Sequence, residues 1–242
     1  MINADYGEWE GYESISFDFL GSEAVVVKPR VAPNGRWAYK TEYFGAFPNL
    51  ELMLLDNGWH IAYNKNSHRW ASDEDLAKKV EFIDFVSREL SLSEKCTLIG
   101  MSCGGLFAVK LAALAPEKTE GLYLDAPVLN LLSCPCDMGI GKSGLFEEFH
   151  KATGLSKSDM LSYREHPIDK MDILLKNELP IVLVAGDCDT IVPYVENGRL
   201  LYEYYTKNGG NIKLFMKQGA GHHPHSLENP EPIYRLIKDF IK

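Results

Sequence analysis

A serine between glycines stands where an apolar strand pattern gives way to an apolar helix pattern. Residues 100–105 read GMSCGG, after the run 97–99 and before a helical stretch that Pro116 ends. In a sharp strand-to-helix turn of this kind, the serine hydroxyl is exposed and the glycines avoid clashes with neighbouring backbone. The pattern predicts that Ser102 is a nucleophile, and a tight turn without chemistry is the alternative. The thiol of Cys103 is expected to pack as a small apolar group, while its N–H points at a developing oxyanion.

Three histidines lie in a glycine-rich loop near the end of the sequence. Residues 219–225 read GAGHHPH and follow the last predicted strand, 212–216. A serine nucleophile needs a general base, and in one known chain order the acid and then the histidine follow the serine. We assign His222 as this base, with His223 as the runner-up and His225 in a packing or substrate-binding role. A metal site is not expected, because the histidines are poorly spaced for a shared ion and no carboxylate completes the set.

The base needs a carboxylate that orients it, and acids follow two of the apolar strand patterns. Residues 186–193 read GDCDTIVP and come directly after the apolar run 181–185. Asp189 is the preferred acid because it lies just before the start of the next helix pattern. Asp187 is the nearer competitor, and Asp125, after the strand pattern 121–124, is a third candidate. Any of the three could instead be a helix cap or a turn residue.

Short β-branched and apolar runs alternate with longer stretches of helical period, which indicates parallel strands joined by helices. Eight strands are predicted, at 14–19, 24–27, 36–43, 59–63, 95–100, 121–124, 181–185 and 212–216. Helices are predicted at 47–57, 72–90, 103–115, 193–206 and 231–241. Ser72, followed by three acids, is a favourable start for the second of these helices. The fold class is therefore α/β, with a mostly parallel eight-stranded sheet flanked by helices.

A long segment, residues 130–178, separates the sixth and seventh predicted strands. Connections of this length usually carry structure or function of their own. We interpret the segment as a cap or lid over the site, and an additional pair of surface helices is the alternative. The whole chain, residues 1–242, is interpreted as a single domain that contains this insertion.

Composition restricts the classes of function. The chain has 242 residues and a formal net charge of −9, which argues against a nucleic-acid binder because phosphate binding needs a basic face. Its five cysteines are irregularly spaced and do not indicate a disulfide framework, so we expect a reducing, cytoplasmic location. The first 21 residues lack the pattern of a signal peptide, and no run is long enough to cross a bilayer.

The three motifs together resemble those of the α/β-hydrolase superfamily, in particular dienelactone-hydrolase-like and prolyl-oligopeptidase-like esterases. The doubled glycine at 104–105 is similar to the second group. Residues 41–45, TEYFG, resemble the oxyanion loop of dienelactone hydrolases, which implies the N–H of Tyr43 as a second oxyanion donor beside Cys103 and places Glu42 close to Ser102. The sequence departs from dienelactone hydrolases in having serine at the elbow and no His-Gly pair in that loop. The resemblance implies no metal and no organic cofactor.

These observations favour a serine hydrolase that cleaves a small carboxylic ester through an acyl-enzyme. A peptidase is an alternative, although prolyl oligopeptidases carry a large gating domain for which this length leaves no room. An acyltransferase and a non-catalytic ligand-binding relative also compete, and relatives of the second kind often lack a triad member. Six aromatic side chains could line a pocket, but aromatic residues near a sheet more often belong to the core; they are Trp37, Tyr39, Tyr43, Phe44, Trp59 and Trp70. Nucleic-acid and membrane partners are not expected.

Overall fold

Nine strands form one sheet in the computed structural model, which describes residues 4–240. The strands are β1 (Ala4–Trp9), β2 (Tyr12–Phe19), β3 (Ser22–Val27), β4 (Trp37–Lys40), β5 (His60–Asn64), β6 (Cys96–Met101), β7 (Thr119–Asp125), β8 (Ile181–Gly186) and β9 (Ile212–Lys217). Their order across the sheet is β1-β2-β3-β5-β4-β6-β7-β8-β9. Neighbours from β1 to β5 pair antiparallel, and all pairs from β5 to β9 are parallel. The carboxyl ends of the parallel strands therefore meet at one edge.

Within residues 4–240, eight α-helices flank this sheet. They are α1 (Asn49–Asp56), α2 (Asp73–Leu90), α3 (Cys103–Leu114), α4 (Phe146–Thr153), α5 (Lys157–Ser162), α6 (Met171–Lys176), α7 (Gly198–Lys207) and α8 (Glu231–Lys238). Alternate side chains of β7 enter different cores: Leu122 and Leu124 pack with α2, α3 and α7, whereas Tyr123 packs with α1 and α8. None of the helices within residues 4–240 combines the length and apolar character needed to cross a membrane.

The prediction of eight strands is wrong by one strand, because β1 was not recognised. Four of the six residues of β1 are exposed, and its sequence, ADYGEW, lacks the alternation of apolar and polar residues that marks a half-buried strand. Only pairing with β2 along Ala4–Trp9 makes this edge segment a strand. The mostly parallel α/β architecture is confirmed, and the insertion lies between β7 and β8.

Most predicted helices are present with shorter bounds. The 72–90 helix begins at Asp73, because Ser72 is its N-cap and the Ser72 hydroxyl accepts the N–H of Asp75. The predicted 193–206 helix is divided into a 3-10 turn at Tyr194–Glu196 and α7. The last helix, predicted to residue 241, ends at Lys238, and its final predicted residue lies outside the described range.

Candidate active site

Ser102 lies at the apex of the turn between β6 and α3. Its backbone has φ 52° and ψ −121°, a conformation that non-glycine residues rarely adopt. The turn is so tight that a Cβ atom on Gly100 would lie 2.6 Å from the carbonyl oxygen of Gly104. The N–H of Ser102 donates to the carbonyl oxygen of Asp125 at 3.0 Å, which fixes the turn to the end of β7. The strand-turn-helix context predicted for Ser102 is present.

The loops that follow β8 and β9 lie against each other at the same edge of the sheet. A Cβ atom on Gly186 would lie 2.4 Å from the carbonyl oxygen of Ala220, so only glycine permits this approach. In the first loop, Asp189 Oδ1 accepts the N–H groups of Ile191 and Val192, each at 2.9 Å. These two bonds fix the carboxylate so that its other oxygen is directed at the second loop.

Ser102, His222 and Asp189 are connected by hydrogen bonds in the structure. His222 Nδ1 lies 2.8 Å from Asp189 Oδ2, and His222 Nε2 lies 3.0 Å from Ser102 Oγ. The His222 and Asp189 side chains are only 5% and 1% exposed, so bulk water does not compete for the bond between them. Because a carboxylate only accepts hydrogen bonds, Nδ1 carries the proton and Nε2 is free to accept the serine hydroxyl proton.

The competing candidates have other partners. Asp187 Oδ1 accepts the N–H of Gly219 at 2.7 Å, so this exposed carboxylate holds the base of the histidine loop. Asp125 Oδ1 lies 3.0 Å from His225 Nδ1, which forms a second carboxylate–imidazole pair. His223 is exposed and stacks on the ring of Phe47 with centroids 5.7 Å apart. Partial desolvation on its packed side, together with the neighbouring His222 and His225, lowers the pKa of His223 below its usual value.

The three histidines of the last loop form a cluster. One ring nitrogen from each of His222, His223 and His225 lies within 4.8 Å of the other two. Two nitrogens bound to one tetrahedral zinc at its usual bond length of about 2.0–2.1 Å lie roughly 3.3 Å apart. The absence of a metal site therefore stays a prediction from the sequence.

Two backbone N–H groups near Ser102 are free to donate hydrogen bonds to an oxyanion. Within residues 4–240, the N–H groups of Tyr43 and Cys103 have no hydrogen-bond acceptor. Tyr43 has φ 56°, a second strained position at this edge of the sheet. Glu42, in the same loop, is bonded through its carboxylate to the side chain of Asn66.

The thiol of Cys103 is buried and faces the loop that carries Tyr43. Burial raises the pKa of this thiol to about 11, although a hydrogen bond with the Tyr43 hydroxyl acts in the opposite direction. A thiol with this pKa is almost entirely protonated at neutral pH, and the thiolate is the nucleophilic form. These features favour a packing role for the side chain.

Ser102 opens into a cavity of about 320 Å³. Tyr43, Phe47 and Leu145 contribute to its wall, and so does Arg69, whose Nε lies 2.9 Å from Glu148 Oε1 of α4. No carboxylate among residues 4–240 lines this cavity. The sequence offered no signal for Arg69, an isolated residue in the loop before α2. Of the six aromatic candidates only Tyr43 reaches the cavity, while Trp37, Tyr39 and Trp59 are core residues.

The first part of the insertion is bonded to the loop that carries Asp189. Glu196 accepts the Ser133 hydroxyl at 2.6 Å and the N–H of Ile140 at 2.7 Å. The N–H of Lys142 donates to the carbonyl oxygen of Thr190 at 2.8 Å. The next residues, Ser143 and Leu145, line the cavity, but a cap function for residues 130–178 stays a prediction.

The sequence matches the model of one protein family. The model of the prolyl oligopeptidase family matches residues 58–242, which include Ser102, Asp189 and His222. The chain belongs to the prolyl oligopeptidase family. Family membership and the observed sheet identify the α/β-hydrolase fold. None of the curated proteins matches the sequence.

Solved structures of known enzymes share the fold. Puromycin hydrolase superposes with a TM-score of 0.69 at 15% identity, over 98% of this chain and 37% of the other. Acetyl xylan esterase 1 from Thermoanaerobacterium sp. JW/SL YS485 has a TM-score of 0.65 at 14% identity, over 100% and 89%. S-formylglutathione hydrolase from Agrobacterium tumefaciens has a TM-score of 0.63 at 12% identity, over 98% and 96%. The chain thus spans little more than a third of puromycin hydrolase and most of each of the other two enzymes.

Proposed function

We propose that this protein is a serine hydrolase, which cleaves a carboxylic ester through an acyl-enzyme intermediate on Ser102. The observation that carries the proposal is the hydrogen-bonded series Ser102–His222–Asp189, with distances of 3.0 and 2.8 Å, at the wall of a cavity. A nucleophile within hydrogen-bond reach of a base, and a base oriented by an acid, is the arrangement that acyl transfer requires.

In the proposed reaction, Ser102 Oγ attacks the ester carbonyl while His222 Nε2 takes its proton. Asp189 holds the imidazole in the tautomer that has a free Nε2, and it stabilises the positive charge that forms. The imidazolium then gives its proton to the departing alkoxide, so the alcohol leaves. A water molecule then attacks the acyl-enzyme while His222 takes one of its protons. The imidazolium returns this proton to Ser102 Oγ as the bond to the acyl group breaks and the acid is released.

We assign the stabilisation of the negative charge that forms on the carbonyl oxygen to the N–H groups of Cys103 and Tyr43. Both donors lack an acceptor among the described residues, and the N-terminus of α3 adds a favourable dipole. Removing one donor of an oxyanion hole typically costs about 10²–10³ in kcat. The proposal therefore predicts that the Tyr43 loop contributes to the rate, and not only to the shape of the cavity.

An ester is proposed ahead of a peptide because acetyl xylan esterase 1 and S-formylglutathione hydrolase share the fold over most of their length, 89% and 96% respectively. The second candidate is cleavage of a peptide amide, which membership of the prolyl oligopeptidase family favours. The cavity of about 320 Å³ is at the small end for ligand pockets, which suits a small acyl or alcohol group.

A panel of p-nitrophenyl esters from acetate to octanoate, run beside dipeptide p-nitroanilides, separates the two candidates. We expect ester turnover that is lost in both Ser102→Ala and His222→Ala, and the dependence on chain length measures the acyl pocket. Ser87→Ala is a matched control, because the Ser87 hydroxyl on α2 is bonded to the carbonyl oxygen of Ser93, away from the cavity. Cleavage of the anilides that is faster than cleavage of the esters would favour a peptide substrate over an ester.

Covalent labelling tests the nucleophile without knowledge of the substrate. A fluorophosphonate probe should modify Ser102, and peptide mapping should leave Ser143 unmodified although Ser143 lines the same cavity. The Ser143 hydroxyl is bonded to Asp137 at 2.7 Å and contacts no imidazole among the described residues. If the probe fails to label the wild-type protein, this result would contradict the proposed nucleophile.

A further inference from the structure

Asp125 is a fully buried carboxylate at the end of β7 that does not belong to the Ser102–His222–Asp189 series. Its Oδ2 accepts the Tyr123 hydroxyl at 3.0 Å and the N–H of Ser226 at 2.5 Å, and its Oδ1 accepts His225 Nδ1 at 3.0 Å. Lys217 Nζ lies 3.9 Å from Oδ1. In these four contacts the Asp125 carboxylate meets donors or a cation, and a carboxylate has enough acceptor positions for all of them.

The same residue bonds the nucleophile turn through its main chain. The carbonyl oxygen of Asp125 accepts the N–H of Ser102 at 3.0 Å, and Asp125 pairs with Met101 in the parallel register of β6 and β7. Asp125 therefore contacts Ser102 with its backbone and the histidine loop with its side chain. Any shift of that loop relative to the sheet has to stretch these bonds.

The part of the loop that Asp125 holds is the part that supports His222. The rings of His225 and His222 pack edge to face, with centroids 4.9 Å apart and an interplanar angle of 80°. Lys217 Nζ also donates to the carbonyl oxygen of Pro224 at 2.6 Å, next to the same contacts. Asp189 holds His222 through Nδ1, and the His225 ring supports His222 by packing against its ring.

We propose that Asp125 is a positioning residue, which holds His225 and Ser226 so that His222 Nε2 stays within hydrogen-bond distance of Ser102 Oγ. The proposal rests on the function proposed above. Asp125 itself does not line the cavity, whereas its partner His225 does, so Asp125 should affect proton transfer more than substrate affinity. A misplacement of catalytic groups by about 1 Å can cost roughly 10² in rate.

Asp125→Asn is the deciding variant because it keeps the shape and removes the charge. An amide offers one acceptor oxygen and one NH2 group, so it must lose a donor partner or force His225 into its other tautomer. We expect kcat on the best ester to fall by about 10- to 100-fold, with KM changed by less than about threefold. Labelling of Ser102 by the fluorophosphonate probe should slow by a similar factor.

Glu120→Gln is the matched control. Glu120 is a buried carboxylate on the same strand, but it lies at the opposite end, where it accepts the Thr97 hydroxyl at 2.8 Å. This variant should lower the Tm and leave both kcat and the labelling rate within about twofold of wild type. Equal losses of rate in Asp125→Asn and Glu120→Gln would show that burial of any carboxylate in β7 is what matters, and would overturn the positioning role.

A spectroscopic signature reports the bond itself. A proton on His225 Nδ1 that is bonded to a buried carboxylate should give a downfield imidazole resonance in the wild type. That resonance should be absent in Asp125→Asn and in His225→Ala, and the resonance of His222 should remain. If Asp125→Asn does not fold, His225→Ala should reproduce the loss of kcat, because it removes the support of His222 directly.

The outcomes separate this proposal from the proposed function. Wild-type protein that neither cleaves any substrate nor reacts with the probe would contradict the function of Ser102 itself. Wild-type protein that reacts normally, beside Asp125→Asn that loses the His225 resonance but keeps its kcat and labelling rate, would overturn the positioning role alone.

Discussion

The buried carboxylates at the two ends of the parallel strands have different kinds of partner. At the carboxyl end, Asp189 and Asp125 each accept from a histidine, at 2.8 and 3.0 Å, and Ser102 is held in a strained backbone conformation. At the amino end, Glu120 pairs with Arg36 at 2.9 Å, a cation that stays charged at every physiological pH.

We expect the carboxyl end to serve the proposed reaction and the amino end to serve the stability of the fold. Arg36 makes contacts that bring distant parts of the chain together: its Nη1 donates to the carbonyl oxygen of Lys238 at 2.8 Å, and its guanidinium lies 3.9 Å from the centre of the Trp59 ring. The carboxyl end instead carries the Ser102 turn and the hydrogen-bonded His222 and His225 rings. Variants at the two ends should therefore change different quantities.

The largest expected effect is on activity at the carboxyl end. Asp189→Asn should lower kcat by about 10⁴-fold, because an amide can reverse the tautomer of His222 and remove its free Nε2. Asp187→Asn, two residues away, should stay within about threefold, since its oxygen can still accept the N–H of Gly219. Kinetics of both variants on one ester check the contrast, and equal losses would mean that the acid has been misassigned.

The largest expected effect on stability is at the amino end. Arg36→Met should lower the free energy of unfolding by about 3 kcal/mol, because it leaves the Glu120 carboxylate buried without its cation. Urea denaturation measures this loss, and kcat of the folded variant should equal that of wild type. A fall in kcat without a change in the denaturation midpoint would contradict the separation of the two ends.

A smaller effect concerns pH. Lys79 is fully buried near the carboxyl end of β5 and contacts Asn64 Oδ1 at 3.2 Å and the Tyr39 hydroxyl at 3.3 Å, both neutral oxygens. Burial lowers the pKa of Lys79 to about 7, below its value in the unfolded chain. Between the two pKa values the unfolded state binds more protons, so this residue makes stability rise with pH above about 7.

Lys79→Met removes that dependence. Its advantage in unfolding free energy over wild type should be greatest below about pH 7 and should shrink by about 1.4 kcal/mol for each pH unit above it. Urea denaturation from pH 6 to 9 measures the difference, with Lys78→Met, the partly exposed neighbour on α2, as the control. Wild-type and Lys79→Met curves that stay parallel across this range would refute the assignment.

The smallest expected effect is at Cys103. The proposed role uses only its N–H, which Cys103→Ala retains, so kcat should fall by no more than about fivefold for a lost side-chain hydrogen bond. In the native protein at pH 8, iodoacetamide should modify the exposed Cys188 and spare Cys103. Complete inactivation of Cys103→Ala would instead identify the thiol as the nucleophile.

Much of the site could be predicted because each part is a local pattern at the end of a strand. The glycines around Ser102, the acid after β8 and the histidine loop after β9 are each readable within about eight residues. Parallel strands bring their carboxyl ends together, so separate patterns imply one site. The missed strand β1 shows the limit of this reasoning, because an exposed edge strand buries too little to leave a pattern.

The sequence by itself determined the fold class, the order of the three motifs and the type of chemistry, because these depend on local periodicity and on residue type. The tertiary structure decided which carboxylate meets which histidine: Asp189 with His222, and Asp125 with His225. Those pairings depend on which strands are neighbours and on how two loops pack. Contacts between residues 33 and 100 positions apart follow from that packing, and no local pattern in the chain specifies them.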